Sequence, residues 1–307
     1  MTGMLKGTKP RTRLRQTWDD HLFDGLVYLF LGICSLLVAY PLIYIVAASF
    51  SSGPAVMSGA VRLWPVEPTL MAYTAAMRNP NIMIGYRNSL LYTSIGTALN
   101  MVMAMLAAFP LSRKKLYGRG FLNIFFIFTM FFSGGLIPSY LLVKDTLHIH
   151  NTVWAMILPG AMNVWFVILM RTYIQGAIPE ELLESAELDG CGAFRLLWQM
   201  VVPLSGPIMA VVALYCAVGI WSNYFDAFIY LQDSKLYPLQ VVLRSILIAN
   251  NISPDMLVDA KEMAMRQALK NLLKYSLIVI ASAPLLVMYP FVQKHFVKGI
   301  MIGSVKG

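Results

Sequence analysis

Charge is what this chain has least of. Asp, Glu, Lys and Arg make up 13% of its 307 residues, against about a quarter in an ordinary soluble domain. That is too little polar surface for a soluble protein of this length. Cysteine is also sparse: Cys34, Cys191 and Cys216 show no disulfide or metal spacing, and two of them fall inside apolar runs, so they read as small apolar residues. No Gly-Lys dipeptide occurs, which excludes a phosphate-binding loop and an ATP site of the Walker kind. There is no His-Glu-x-x-His and no Gly-x-Ser-x-Gly. His148 and His150 stand two apart without a carboxylate at helical spacing, which argues against a metal site. The chain has no recognisable active site and does not read as an enzyme, so energy for any work must come from a partner or from an ion gradient.

What is abundant is apolar surface: 58% of the residues, with a mean hydropathy of +0.65. Six runs reach the roughly 20 apolar residues that a membrane-spanning helix needs, at about 23–50, 84–109, 121–143, 152–175, 203–231 and 271–293. The expected fold is an all-α integral membrane protein with six transmembrane helices and both termini cytoplasmic. Residues 1–22 would form a cytoplasmic tail, 23–296 a single six-helix domain and 297–307 a second tail. The first run is too long for a signal-peptide core and lacks a clear cleavage site, so it is expected to stay as an anchor.

The net charge of +9 follows this topology and does not mark a nucleic-acid partner. Lys6, Lys9, Arg11, Arg13, Arg15, Arg113, Lys114, Lys115, Arg119, Arg171, Arg195, Lys294, Lys298 and Lys306 all fall on one side, which the positive-inside rule makes the cytoplasm. Outside, residues 51–83 are rich in Gly, Pro and Ser and end in a short helical run near Arg78; the 144–151 loop places Asn151 or Thr152 to cap the next helix. A second outer segment, 232–270, carries a helical pattern from Ser253 to Lys270.

The most informative segment is the polar hairpin 179–207 between spans four and five. Pro179 suits a helix start, Glu180 and Glu181 suit the positive end of its dipole, and Gly190 can take the left-handed backbone that ends it. A second short helix, about Ala193–Val201, runs into Pro203 and the fifth span. Read from these residues alone, the hairpin is a docking surface or an amphipathic connector resting on lipid headgroups. Its spacing is more specific: Glu184-Ser185-Ala186, three residues, Gly190, nine residues, Met200, one residue, Val202-Pro203. This resembles the EAA loop of ABC-importer permeases (Glu-Ala-Ala, three residues, Gly, nine residues, Ile, one residue, Leu-Pro), with Ser185, Met200 and Val202 departing from the usual residues.

The resemblance covers nearly the whole chain and is closest to the carbohydrate-importing, maltose-type branch. Phe132-Ser133-Gly134-Gly135-Leu136-Ile137-Pro138, Trp154-Ala155-Met156-Ile157-Leu158-Pro159-Gly160 and Met170-Arg171-Thr172-Tyr173 look like oligosaccharide-importer permeases, and Gly303-Ser304-Val305-Lys306-Gly307 resembles the tail of the second maltose-type permease subunit. The resemblance implies that Glu184, Ser185, Ala186, Asp189, Gly190 and Pro203 belong to a coupling helix on a cytoplasmic ATPase, and that the tail 303–307 reaches the ATPase interface. Without the family, that tail reads as a frayed basic end beside anionic lipid. The implied partners are a second, different permease, two copies of the ATPase, an outer solute-binding protein, membrane lipid and a sugar. ATP and Mg would sit on the ATPase, with no cofactor on this chain, and the location would be a bacterial plasma membrane.

For the substrate path, Trp221, Asn223, Tyr224 and Asp226 combine aromatic faces for sugar C–H groups with amide and carboxylate partners for hydroxyls. At helical spacing Trp221, Phe225 and Phe228 would share one face, and Asn223 and Asp226 another. The same residues equally suit an aromatic belt with Asp226 in water. Ser133 and Gly134, with Gly135 and Pro138, either open span three toward a cavity or allow a close helix contact. Asn163 and Trp165 are weaker candidates. The function expected is alternating-access import of an oligosaccharide driven by the partner ATPase. An amino-acid or peptide ABC permease is the main alternative and an ion-coupled secondary transporter the lesser one.

Overall fold

The computed structural model describes residues 18–249, 272–290 and 293, and among them there is no strand. Three helices are long and apolar enough to cross a membrane: α1 (Trp18–Ser49), α4 (Pro80–Ser112) and, last in the described chain, α14 (Leu272–Pro290). Two bent pairs raise the number to five if each pair is one crossing: α5 (Arg119–Phe131) with α6 (Leu136–Thr146), bent by 105°, and α10 (Ala193–Leu204) with α11 (Gly206–Ser222), bent by 82°. The expected span 152–175 is not one helix. It divides into α7 (Trp154–Ile157) and α8 (Val164–Ala177), because Pro159 and Gly160 interrupt it. Short helices α2 (Gly53–Met57) and α3 (Met71–Arg78) precede α4, and α9 (Glu180–Leu188), α12 (Phe225–Tyr230) and α13 (Leu239–Ala249) complete the order.

Helix α1 runs for 32 residues, and its most apolar window, of mean hydropathy 2.4, is 0% buried within the chain. Only Ala47, Ala48 and Ser49 at its end are buried, the two alanines in a cluster with Ala55, Val56, Val61, Ala72 and Leu272. A helix that is apolar all round and uncovered by its own chain is matched to lipid or to a neighbouring membrane subunit.

Helix α4 is the central post, started by Asn79, whose Oδ1 accepts from Asn81 N, with Pro80 at the first helical position. Its small residues let neighbours approach closely. A Cβ on Gly96 would lie 2.8 Å from Ile220 Cδ1, and one on Gly85 would lie 3.1 Å from Leu239 Cα. Around α4, Ala104, Met105, Ala108 and Phe109 pack with Phe166, Val167, Met170 and Ile174 of α8 and with Val212 and Cys216 of α11.

The interruptions leave backbone groups without helical partners, and polar side chains of α4 satisfy several of them. Asn100 Nδ2 donates to Gly160 O at 2.9 Å, in the break between α7 and α8. Asn88 Nδ2 donates to Lys235 O at 2.8 Å and Tyr237 O at 3.1 Å, Tyr92 Oη donates to Leu236 O at 2.7 Å, and Ser89 Oγ accepts from Leu239 N at 2.8 Å. Replacing Asn88 with Leu strands two carbonyls and is expected to cost about 2–4 kcal/mol. A fall in the melting temperature of the detergent-solubilised protein, larger than that of an exposed control such as Asn81→Leu, checks this.

The cap expected of Asn151 or Thr152 is not formed. Val153 occupies the N-cap of α7 without a side-chain bond. Thr152 Oγ1 donates back to Ile149 O, and Asn151, at φ 57°, uses Oδ1 to accept from Gln232 N and Asp233 N. The long-range clamp wins because it satisfies two donors at once. The expected helix 253–270 lies outside the described residues.

Candidate coupling face and transport cavities

The hairpin is built as two helices around a glycine turn. Helix α9 begins after Pro179, which takes the N-cap, and places Glu180 and Glu181 in its first turn. Gly190, at φ 82°, ends it, with Gly190 N donating to Glu187 O and Cys191 N to Ala186 O. The underside of the hairpin is part of the bundle core: Ile178, Leu183, Leu196, Leu197 and Val201 are buried in the cluster that holds Phe109, Met170 and Ile174. Each such side chain is worth about 1.5–3 kcal/mol against exposure to water, so the hairpin moves with the bundle rather than hanging from it. Pro203 precedes the bend at Ser205.

Acidic residues of α9 face the basic loop that joins α4 to α5. Arg113 Nη2 lies 2.6 Å from Glu187 Oε1, Lys114 Nζ 2.8 Å from Glu180 Oε2, and Lys115 Nζ 2.9 Å from Glu184 Oε1. The Arg113 side chain is only 10% exposed. The hydrogen bond and charge of Lys114 hold the Glu180 carboxyl below its usual pKa, and Glu180 in turn raises that of Lys114. Glu184 therefore turns toward the basic loop, and Ser185 Oγ donates to Glu181 O within the helix. Ala186 packs partly against the core, while Asp189 and Gly190 are exposed at the turn.

Sequence reasoning missed the two most exposed apolar groups of this turn, Leu188 at 89% and Phe194 at 73%. It also missed the ion pairs. Their signal was present in the i, i+4 spacing of Glu180 and Glu184 opposite three consecutive cations.

Two cavities lie farther along the bundle. One, of about 650 Å³, opens at the break between α7 and α8 and is lined by Asn100, Thr129, Asn163, Trp165 and Tyr215 among others. Asn163 Oδ1 accepts from Trp165 N and starts α8, and Asn100 Oδ1 is buried there without a protein partner. The other, of about 510 Å³, lies between the end of α11, α13 and α14, where Ser222, Tyr224, Gln240, Arg244 and Ser282 contribute.

The substrate-path residues are only partly brought together. The common face of Trp221, Phe225 and Phe228 is not formed, because the helix breaks at Asn223–Tyr224 between α11 and α12. Trp221 is 2% exposed, donates its indole N–H to Ala281 O at 2.9 Å and meets Tyr86 edge-on. Asn223 Nδ2 binds Asp226 Oδ2 at 2.5 Å, which joins these two residues across the break. Tyr224 lines the smaller cavity, whereas Ser133 and Gly134 are exposed at the 105° bend and line neither cavity. The tail Gly303, Ser304, Val305, Lys306 and Gly307 lies outside the described residues.

Known transport proteins resemble this chain along most of its length. The family described as binding-protein-dependent transport system inner membrane component matches residues 82–302, and the chain belongs to it. It is a multi-pass transmembrane permease subunit of an ABC importer. Protein LplC of Bacillus subtilis (strain 168) is 38% identical over 294 residues, covering 96% of this chain and 98% of LplC. The polygalacturonan/rhamnogalacturonan transport system permease protein YtcP of the same organism is 40% identical over 289 residues, covering 94% and 99%. A chain of a bacterial ABC transporter involved in the import of the acidic polysaccharide alginate has a TM-score of 0.81 at 31% identity, covering 92% of this chain and 100% of that one.

Proposed function

We propose that this chain is one of two different permease subunits of a bacterial ABC importer for carbohydrate, an oligosaccharide above all. In this reading it has six spans with both ends in the cytoplasm, counting α7–α8 as a broken span, and works by alternating access. The observation that carries the coupling role is the hairpin itself: its underside belongs to the bundle core while Leu188, Asp189, Gly190 and Phe194 stand exposed at its turn. Such a knob fits a cleft on a partner ATPase. ATP and Mg bound on that ATPase close its two copies, the hairpin is drawn inward, and the bundle opens outward to sugar delivered by the binding protein.

The carbohydrate reading is supported by the names of the relatives and by the larger cavity, whose lining offers amides and aromatic rings and no charged side chain. An amino-acid or peptide cargo would need an acidic partner for its ammonium group, and no Asp or Glu lines either cavity among the described residues.

Replacing Leu188 and Phe194 together with Asp is expected to lower ATPase co-purification about tenfold or more, since two exposed apolar anchors are lost. Gly190→Val, which forces a β-branched residue to positive φ, is expected to do the same. If both variants keep the ATPase bound and transport-coupled hydrolysis intact, the hairpin is not the docking element.

A further inference from the structure

We propose that the transported carbohydrate carries carboxylates and that Arg244, in the cavity of about 510 Å³ beside α11 and α14, pairs with one of them. The proposal rests on the carbohydrate reading and narrows it to uronate-containing oligosaccharides.

The guanidinium carbon of Arg244 lies 5.0 Å from the ring centre of Tyr224 and 5.1 Å from that of Phe228. Both rings lie within cation–π range of the guanidinium, a contact that uses its charge and leaves its N–H donors to other partners. Among the described residues Arg244 forms no ion pair. Of the two acidic residues that precede it most closely, Asp233 accepts from Lys235 N and Asp226 from Asn223 Nδ2. A guanidinium fork that lines a cavity with no carboxylate among its described lining residues is matched to a ligand that brings one, and its bidentate geometry fits a planar carboxylate better than a hydroxyl.

The rest of the cavity suits a sugar ring. Gln240, Ser222 and Ser282 offer hydrogen-bonding groups, and the ring of Tyr224, 42% exposed, offers a face for C–H groups. A neutral sugar could accept from the guanidinium through its hydroxyls, but a carboxylate gains a charge-assisted, bidentate pair that roughly doubles the strength of each bond. The alternative is structural, with Arg244 serving only to cover the two rings; that role needs the stem and the stacking but not the pairing.

The experiment uses proteoliposomes that hold the complete transporter with its binding protein. Uptake of trigalacturonate, trimannuronate and maltotriose is compared for wild type, Arg244→Gln, Arg244→Met and Arg244→Lys, with ATPase co-purification as the measure of assembly. Wild type is expected to take up at least one of the two uronates, and the pair of probes tells which uronate geometry fits. Arg244→Gln and Arg244→Met are expected to lower that rate about tenfold, with Arg244→Lys keeping it within about threefold.

Several results overturn the proposal: wild type moving maltotriose but neither uronate; a fall of less than about threefold in the uncharged variants; an equal fall in the lysine variant; or loss of assembly in both uncharged variants. Uptake of maltotriose alone leaves the carbohydrate reading standing. If none of the three sugars is taken up, that reading falls with it.

Discussion

Replacing Arg113 with Glu is expected to reduce transport by an order of magnitude or more while the subunit still reaches the membrane. Arg113 is the one cation of the basic loop that is nearly buried, and its Nη2 sits 2.6 Å from Glu187 Oε1. Breaking a fully buried pair costs about 3–5 kcal/mol and an exposed one about 0–1 kcal/mol; with Arg113 nearly buried and Glu187 41% exposed, this pair falls between the two. The reversed charge would also face Glu180 and Glu184, which now hold Lys114 and Lys115. Those two outer pairs are solvent-exposed and screened by salt, so they steer the loop rather than fasten it.

The consequence is mechanical: the loop after α4 would no longer follow the hairpin, and ATP hydrolysis would run without import. Restoring the pair in reverse, as Arg113→Glu with Glu187→Arg, is expected to bring transport back to within about threefold of wild type. Uptake and ATP hydrolysis measured together check this. Equal loss in the single and double variants would mean that the pair plays no part. The sign of the pH effect follows from Glu180, whose pKa is lowered in the folded protein by Lys114. Its contribution is present above the pKa of the unfolded carboxyl and is lost as pH falls through the folded value.

Gly85→Leu is expected to abolish recovery of folded protein. At Gly85 the neighbours are backbone and branched side chain: Leu239 Cα at 3.1 Å, Leu239 N at 3.2 Å and Val242 Cγ2 at 3.1 Å from an added Cβ. No rotamer change can move Leu239 aside, because its N–H is already fixed to Ser89 Oγ at 2.8 Å and the preceding carbonyls are fixed to Asn88 and Tyr92. Overpacking alone costs about 1–3 kcal/mol, and separating α13 from α4 would add the stranded polar groups. Gly96→Leu meets only the mobile end of Ile220 and is expected to be milder. Size-exclusion profiles and melting temperatures of the two variants check the order, and a better-folded Gly85→Leu would refute it.

Much of the hairpin was legible before any fold was known. Proline at its start, acidic residues in the first turn and a glycine able to take positive φ dictate a helix, a stop and a second helix through local backbone chemistry. Span five was less legible. Helical spacing put Trp221, Phe225 and Phe228 on one face, but the helix breaks between Ser222 and Phe225, and Trp221 turns into the core to reach Ala281 O. Nothing local announces that break: there is no proline or glycine at Asn223–Tyr224, and Asn223 completes the turn only by binding Asp226. Arg244 was placed in an outer loop segment because its cavity is assembled from α11, α13 and α14, more than 60 residues apart at the extremes.

The sequence by itself determined the membrane character, the position of the apolar runs and the construction of the hairpin, since these depend on hydropathy and on φ preferences within a few residues. Tertiary structure alone decided which polar groups face one another: the basic loop against α9, Asn88 against the 235–237 carbonyls, and Arg244 over two rings. Such pairings are settled by packing between segments far apart in the chain. In an apolar assembly each polar group must find whatever partner the fold brings within hydrogen-bonding reach.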